Sequence, residues 1–523
     1  MKKMKKIFAA LLTLAMVLGM SMTTFAAGTT PTGDDKTTAT VNNVEDGATV
    51  TAYQIVEANY NDNGFIGYAA ADGVILADAT KPTSDEVTAI AKDIKGGTLT
   101  LESKQMTQGT AADGYASYTA ELNAGYWLVL VEGSNLVEVY NPMLVGVYYS
   151  VSGSDSTMTS GPVDANANWT LVTENAYAKS TKPVIQKTVG EKQNDVAIGD
   201  DVDFTITTAI PSYSKQYETV KVVISDTLSA GLTLKADTID ITVGGEDYTP
   251  GADELTTTDR GFTLNFPSEY ALQNGGKAVE ITYKAKLNEN AGINFDANTN
   301  TATLEYSNNP ENSEDTERTS DKTYTYTFGI DALLYGNHPG YEQTTSEIVK
   351  IDEKGNIISK VESISSTPTE GVTEVLEGAT FTLTNNVTGK VYTATTDVNG
   401  KLNFEGLDAG EYTLVETAAP SGFTLDTTEH DVVISATYTA EGLLESYTIT
   451  IDEEATSTYE ATYEGESITN IESTTETTQI KNTKLSSLPS TGGIGTTIFT
   501  IGGCIIMIAA AGLFFASRRK ESK

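Results

Sequence analysis

Along most of the chain, apolar positions recur in short alternating runs separated by turn residues. Val202-Asp203-Phe204-Thr205-Ile206 alternates cleanly, as do Val222, Ile224 and Leu228. A period of two puts such residues on one face of a strand. Thr49-Val50-Thr51-Ala52-Tyr53-Gln54-Ile55 reads as an early strand, with Val50 and Ala52 on one face and Tyr53 and Ile55 on the other. Gly125 to Val131 reads as a buried strand. Val139 to Val147 reads as another, in which Pro142 argues for an edge position or a bulge. Leu304 and Tyr306 belong to a late strand ending at Ser307-Asn308-Asn309-Pro310, and Leu376 to Leu383, Phe404 to Leu407 and Tyr412 to Glu416 continue the pattern. Asp397-Val398-Asn399-Gly400 is a turn signal between them. The best helix candidate is Thr83 to Lys95, with Val87, Ile90, Ala91 and Ile94 at helical spacing. Glu472 to Thr478, rich in Thr and Glu, reads as a loop. The whole predicts an all-β chain of β-sandwiches in series.

Two longer apolar runs break this pattern, one at each end. Lys2, Lys3, Lys5 and Lys6 precede an apolar core from Ile7 to Met20, and Thr24-Phe25-Ala26 follows as a small-residue cleavage site. This is the order of a secretory signal peptide over residues 1–26, with a mature start near Ala27. At the other end Leu488-Pro489-Ser490-Thr491-Gly492-Gly493 is followed by an apolar run from Ile494 to Ala516, then by Arg518, Arg519, Lys520 and Lys523. About 20 apolar residues cross a bilayer, and positive residues behind the span hold the tail on the cytoplasmic side. Thr491 then sits just outside the membrane. The order resembles the cell-wall sorting signal of Gram-positive surface proteins. In that signal a membrane transpeptidase, a sortase, cuts between the Thr and the Gly and joins the Thr to an amine.

Composition narrows the function classes. Of 33 basic and 71 acidic residues, eight basic and one acidic residue lie in the signal segment and beyond Thr491; the exported part keeps 25 against 70, a formal charge of −45. Such a surface argues against nucleic acid or anionic lipid as a partner. The one cysteine, Cys504, lies in the apolar run, so no intrachain disulfide can staple the exported part. Exported domains often rely on disulfides, and their absence directs attention to another stabiliser. His338 and His430 have no Cys, His or carboxylate cluster at metal spacing, so no metal and no cofactor is expected. About 465 exported residues suggest roughly three domains. These are 27–177, 178–325 and 326–487, followed by the sorting signal at 488–523.

The sequence Tyr412-Thr413-Leu414-Val415-Glu416-Thr417-Ala418-Ala419-Pro420-Ser421-Gly422-Phe423, together with the sorting signal, resembles the major (backbone) pilin subunits of sortase-assembled Gram-positive pili. The resemblance implies Cna-type, immunoglobulin-like sandwiches with intradomain Lys–Asn isopeptide bonds. In that family a first-strand Lys attacks the side-chain amide of a last-strand Asn, a nearby Asp or Glu assists, and ammonia leaves. Burial explains these residue types, because it disfavours charge on both the amine and the acid. The neutral amine is the nucleophile and the protonated acid polarises the amide.

In the last domain Lys350 shares a strand face with Ile348, Glu416 shares one with Tyr412 and Leu414, and Asn482 shares one with Ile480. The expected bond is Lys350–Asn482, assisted by Glu416. In the middle domain Lys187 is in phase with Ile185 and Val189, and Asp226 with Val222, Ile224 and Leu228. The expected bond there is Lys187–Asn308, assisted by Asp226. Asn309 and Asn300 are alternatives, and alternation does not exclude Asn300. No bond is expected in the first domain. Tyr177-Ala178-Lys179-Ser180 resembles in part the family's motif that supplies the accepting amine, with Ala178 in place of Pro and Ser180 in place of Asn. Lys179 is therefore the expected linking residue, and Lys182 the alternative.

These features together describe a structural subunit, not an enzyme. Its Thr491 would be joined by a pilin-type sortase to Lys179 of an identical subunit. Minor pilins, a housekeeping sortase and peptidoglycan are the further partners the resemblance implies; no ligand can be named. A monomeric wall-anchored adhesin or a minor pilin is the alternative, and would not need Lys179. A secreted enzyme on β-sandwich stalks finds no nucleophile–base pair, metal set or phosphate loop to support it.

Overall fold

The computed structural model describes residues 20–24, 30–133, 136–150, 169–214, 217–308, 316–336, 344–354, 378–397, 399–420, 422–485 and 501–511. The sorting motif Leu488-Pro489-Ser490-Thr491-Gly492, most of the signal segment, Asn309 and His338 lie outside the described residues. Residues 501–511 are helical. Among the described residues no helix is long and apolar enough to cross a membrane. The chain forms two compact units, Met1–Ala291 with Asn298–Thr325, and Gly292–Ala297 with Tyr326–Lys523.

The first unit opens with a sheet in the order Met20–Thr24, Thr170–Glu174, Met143–Ser150, Gly125–Glu132, Thr49–Asn61, Gly64–Ala70. Both faces of this sheet are covered. Val50, Ala52, Trp127 and Val129 pack into one core with Ala39, Val41 and Tyr118 of the facing sheet. Ile55, Val56, Leu128 and Leu130 pack on the other side against Val87, Ile90 and Ala91. Those last three residues lie on the helix Ser84–Lys95, whose start is fixed by Thr83 and Glu86 in a capping box. A strand covered on both faces has no polar face to show, which explains the unbroken apolar run of Gly125 to Val131. The predicted strand from Val139 to Val147 is two strands. Val139–Tyr140 pairs with Ser180–Thr181, Met143–Ser150 pairs with Gly125–Glu132, and Asn141-Pro142 forms the break. Pro142 has no N–H to give to a ladder.

The rest of the first unit is two sheets face to face. One runs Gln186–Val189, Asp201–Ala209, Ala278–Leu287, Leu232–Val243, Glu246–Asp247; the other runs Leu255–Thr258, Gly261–Phe266, Val222–Leu228, Asn298–Ser307, Thr316–Thr325. Inward positions of both sheets, among them Phe204, Ile206, Ile281 and Tyr283 from the first and Ile224, Leu264, Leu304 and Tyr306 from the second, form one buried core.

In the second unit, Ile348–Asp352 and Thr478–Asn482 pair in parallel. A larger sheet runs Val391–Thr395, Thr380–Asn385, Gly410–Ala418, Glu429–Tyr438, Leu444–Ile451, Ala455–Glu464, Ser467–Thr474. The expected loop at Glu472 to Thr478 is shorter than read from composition. Residues to Thr474 close the edge strand Ser467–Thr474, and Thr478 already opens the next strand. Polar side chains suit an edge strand, which faces water.

Candidate crosslinking sites

Lys187 enters the middle sandwich from one sheet, and Asp226 and Asn300 from the other. The register decides which asparagine meets the lysine. Asp226 pairs with Ala302 and Leu228 with Asn300, so Asn300 is the next inward residue beside Asp226. Lys187 Nζ lies 2.5 Å from Asp226 Oδ2, and both side chains are fully buried. It also donates to the Tyr283 hydroxyl. Asn300 Nδ2 donates to the same hydroxyl at 2.9 Å. The lysine amine sits over the rings of Phe204 and Tyr283, 5.0 and 4.9 Å from their centroids. Burial pulls the Lys187 ammonium down from its usual range, against the opposing pull of Asp226. Burial likewise pushes the Asp226 carboxyl up, against Lys187. Both shifts favour a neutral amine beside a neutral acid. Gly261 makes the acid's position possible: a Cβ there, at φ +136°, would lie 1.9 Å from Asp226 O.

Asn308 is not part of this cluster. It lies six residues beyond the partner of Asp226, roughly 20 Å along an extended strand. Its Nδ2 donates to Leu136 O at 2.6 Å, and its carbonyl accepts from the Tyr217 hydroxyl at 3.0 Å. Asn308 thus ties the strand end to the Leu136–Tyr140 segment, where the Tyr306 hydroxyl also bonds Val137 O. The expected Lys187–Asn308 pairing gives way to Lys187 beside Asn300. Asn300, Ala302, Leu304, Tyr306 and Asn308 share one phase, so alternation could not separate them.

Lys350, Glu416 and Asn482 do converge. Lys350 pairs with Ile480 in the parallel ladder, which puts Asn482 two residues further along on the same face. Lys350 Nζ lies 3.4 Å from Glu416 Oε1, with both side chains buried. Asn482 Nδ2 donates to Glu416 Oε2 and to Thr424 O, each at 2.8 Å. Asp426 N donates to the same Oε2 at 2.9 Å. The amine stands over the Phe381 ring, 5.0 Å from its centroid. Burial again pulls the lysine down, with Glu416 opposing.

Sequence reasoning missed Tyr283 and the backbone around Lys350. The Asp397–Gly400 turn docks directly on that strand, with Lys350 N donating to Gly400 O at 2.9 Å. Gly400 holds φ +74°, and a Cβ there would lie 3.0 Å from Lys350 O. The turn signal was visible in the sequence, its target was not. In both clusters one carboxyl oxygen and the asparagine Oδ1 lack a hydrogen-bond partner: Asp226 Oδ1 with Asn300 Oδ1, and Glu416 Oε1 with Asn482 Oδ1.

Lys179 is exposed on a fixed backbone. Ala176–Tyr177 pairs with Val41–Asn42 before it and Ser180–Thr181 pairs with Val139–Tyr140 after it. Lys179 O also accepts Asn141 N at 2.9 Å. Lys182 is exposed as well, just before Pro183. Among the described residues no group of three His, Cys, Asp or Glu is placed to hold a metal ion.

The described residues form a multi-sheet, predominantly β architecture. Residues 34–180 match the T6 antigen Ig-like domain, 198–310 the Cna-B-like domain of Gram-positive pilin backbone subunit 2, 362–466 a prealbumin-like fold domain, and 480–523 the LPXTG cell wall anchor motif. The trypsin-resistant surface T6 protein of Streptococcus pyogenes serotype M6 is 29% identical over 574 aligned residues, which cover 98% of this chain and 99% of that one. A solved structure of the T6 backbone pilin of serotype M6 Streptococcus pyogenes shares the fold at a TM-score of 0.57 and 23% identity, over 87% of this chain and all of that one. Platelet adherence protein A of Streptococcus gordonii is 31% identical over 115 residues, 22% of this chain but 3% of its own length. The pilin backbone domain, the LPXTG anchor motif and the full-length likeness to the T6 protein together support a cell-wall-anchored structural subunit of a sortase-assembled Gram-positive surface pilus.

Proposed function

We propose that this subunit polymerises through Thr491 and Lys179 and hardens itself with two internal isopeptide bonds, Lys187–Asn300 and Lys350–Asn482. The observation that carries the second part is the burial, twice, of a lysine amine beside a carboxyl group and an asparagine amide. A proton on Asp226 or Glu416 gives the partnerless amide oxygen a donor and polarises its carbonyl. The neutral lysine attacks the amide carbon, and one ammonia leaves per bond. Packing holds the groups together and replaces an encounter between molecules. Each bond would tie the first strand of its domain to a late one, in a three-domain subunit divided near residues 177 and 325.

Between subunits, a pilin-type sortase would cut after Thr491 and pass its carbonyl to the Lys179 amine of a neighbour. The exposed side chain on a paired backbone suits an amine that must reach into an enzyme. A housekeeping sortase would join the finished fibre to peptidoglycan, with minor pilins as further components.

Intact mass tests the internal bonds. The exported chain should weigh less than its sequence by two ammonia. Asp226→Ala should restore one and Glu416→Ala the other. Full calculated mass in the unmutated protein would sink the reading.

A further inference from the structure

We propose that Tyr283 is a catalytic residue of the middle site, carrying a proton from the attacking lysine nitrogen to the departing asparagine nitrogen. The proposal rests on the Lys187–Asn300 reading above and adds a group to it. The Tyr283 oxygen accepts from Lys187 Nζ and from Asn300 Nδ2, the latter at 2.9 Å, so one atom touches both reacting nitrogens. The hydroxyl also meets Asp226. The ring is held in place: Tyr283 pairs with Phe204 across the sheet, stacks on it at 5.5 Å, and meets Phe262 edge-on at 5.2 Å. Tyr283 is 2% exposed. Burial keeps its hydroxyl protonated, well above the usual phenol range.

The reaction creates a proton imbalance that the buried site must settle internally. Lys187 Nζ attacks Asn300 Cγ, the carbonyl electron pair moves to Oδ1, and Oδ1 takes the proton of Asp226. The former lysine nitrogen now has one proton too many, and Nδ2 has one too few to leave as ammonia. Tyr283 accepts the first proton and hands its own hydroxyl proton to Nδ2. The Cγ–Nδ2 bond then breaks, its electron pair leaves with ammonia, and the re-forming carbonyl returns a proton to Asp226. Tyrosine and acid end as they began.

The second site gives an internal contrast. There the Glu416 carboxyl bonds Asn482 Nδ2 through one oxygen and lies 3.4 Å from Lys350 Nζ with the other. The ring beside the lysine is Phe381, which has no hydroxyl. The carboxyl there acts without a hydroxyl on that ring, so the two bonds should respond differently to loss of the Tyr283 hydroxyl.

The test is a time course of the full chain made by cell-free translation, with the Lys187–Asn300 and Lys350–Asn482 linked peptides quantified by mass spectrometry. Tyr283→Phe should slow the first bond by about a hundredfold or more, the lower end of general acid–base contributions, and leave the second unchanged. Site-specific 3-fluorotyrosine at 283 keeps shape and hydroxyl but makes the proton more acidic, and should shift the first rate several-fold. Equal first-bond rates in Tyr283→Phe and the unmodified chain overturn the proposal. So does a slow phenylalanine variant with an unshifted fluorotyrosine one, because the hydroxyl then only positions its neighbours. A first linked peptide missing from the unmodified chain removes the underlying reading and the shuttle with it.

Discussion

At the scale of single residues, the middle site turns on which asparagine meets Lys187. Asn300→Ala should abolish that bond and restore one ammonia to the intact mass. Asn308→Ala should still fall two ammonia short of its own calculated mass, since its amide serves Leu136 O. In the chain-entropy treatment of a crosslink, a closed loop of this size stabilises by about 5 kcal/mol. Loss of the bond should therefore lower the melting temperature of the middle domain by roughly 10–20 °C, read by calorimetry. The meeting of Lys187 with Asp226 was legible in residue types and phase, but which asparagine stands beside them was not. Period two fixes a face and leaves the position along the strand open. Only the pairing of Asp226 with Ala302 selects Asn300 over Asn308, which shares its phase. Lys350, Glu416 and Asn482 were easier, because Asn482 lies close to the end of the exported sequence and offers few competitors. Tyr283 left no signal, since a tyrosine in an apolar phase reads as core.

At the scale of elements, the strand bearing Lys350 is held at its start by two buried acids. Asp331 accepts from Ile348 N through Oδ1 and from Leu402 N through Oδ2, at 3.2 and 2.8 Å. Glu347 accepts from Asp331 N at 2.8 Å and from the Tyr459 hydroxyl at 2.5 Å. Burial, then the neighbouring Glu347 carboxylate, pushes the Asp331 carboxyl well above its usual range. A folded-state value raised above the unfolded one gives stability at low pH that is lost as pH rises through the folded value. The second unit should therefore melt at falling temperature as pH climbs from about 4, the ordinary aspartate range, up through the raised folded-state value. Glu347→Gln removes the like charge and should flatten that slope; an unchanged slope in calorimetry would assign it elsewhere. The helix Ser84–Lys95 offers a simpler check: Thr83→Ala removes the capping box and should cost about 1 kcal/mol in denaturant titration. That helix was readable from its spacing alone, and the capping box and acidic first turn of the structure agree with it. The doubly covered sheet beneath it was half readable: Val50 and Ala52 against Tyr53 and Ile55 showed two apolar faces without showing what covers them.

At the scale of the whole molecule, the proposed covalent linkage would take the place of what cysteine cannot supply. The exported part has no thiol, and its formal charge of −45 sets like surfaces against each other. Subunits held only by contact would have to overcome that repulsion at every junction. An amide bond from Thr491 to Lys179 does not depend on the surfaces attracting. Wall-released protein from cells expressing the pilin-type sortase should accordingly run as a detergent-resistant ladder of high-mass species. Lys179→Ala should collapse the ladder to monomer. A ladder that survives Lys179→Ala and disappears with Lys182→Ala would move the linkage three residues on, to the other exposed amine of the same segment. A single monomer band in the unmutated cells would sink the polymer linkage. Raising the ionic strength separates the covalent from the electrostatic part, because salt screens exposed charges within about 10 Å at 0.1 M and leaves amide bonds untouched. The ladder spacing should therefore be identical at low and high salt, while any lateral association of fibres should increase as the charge is screened.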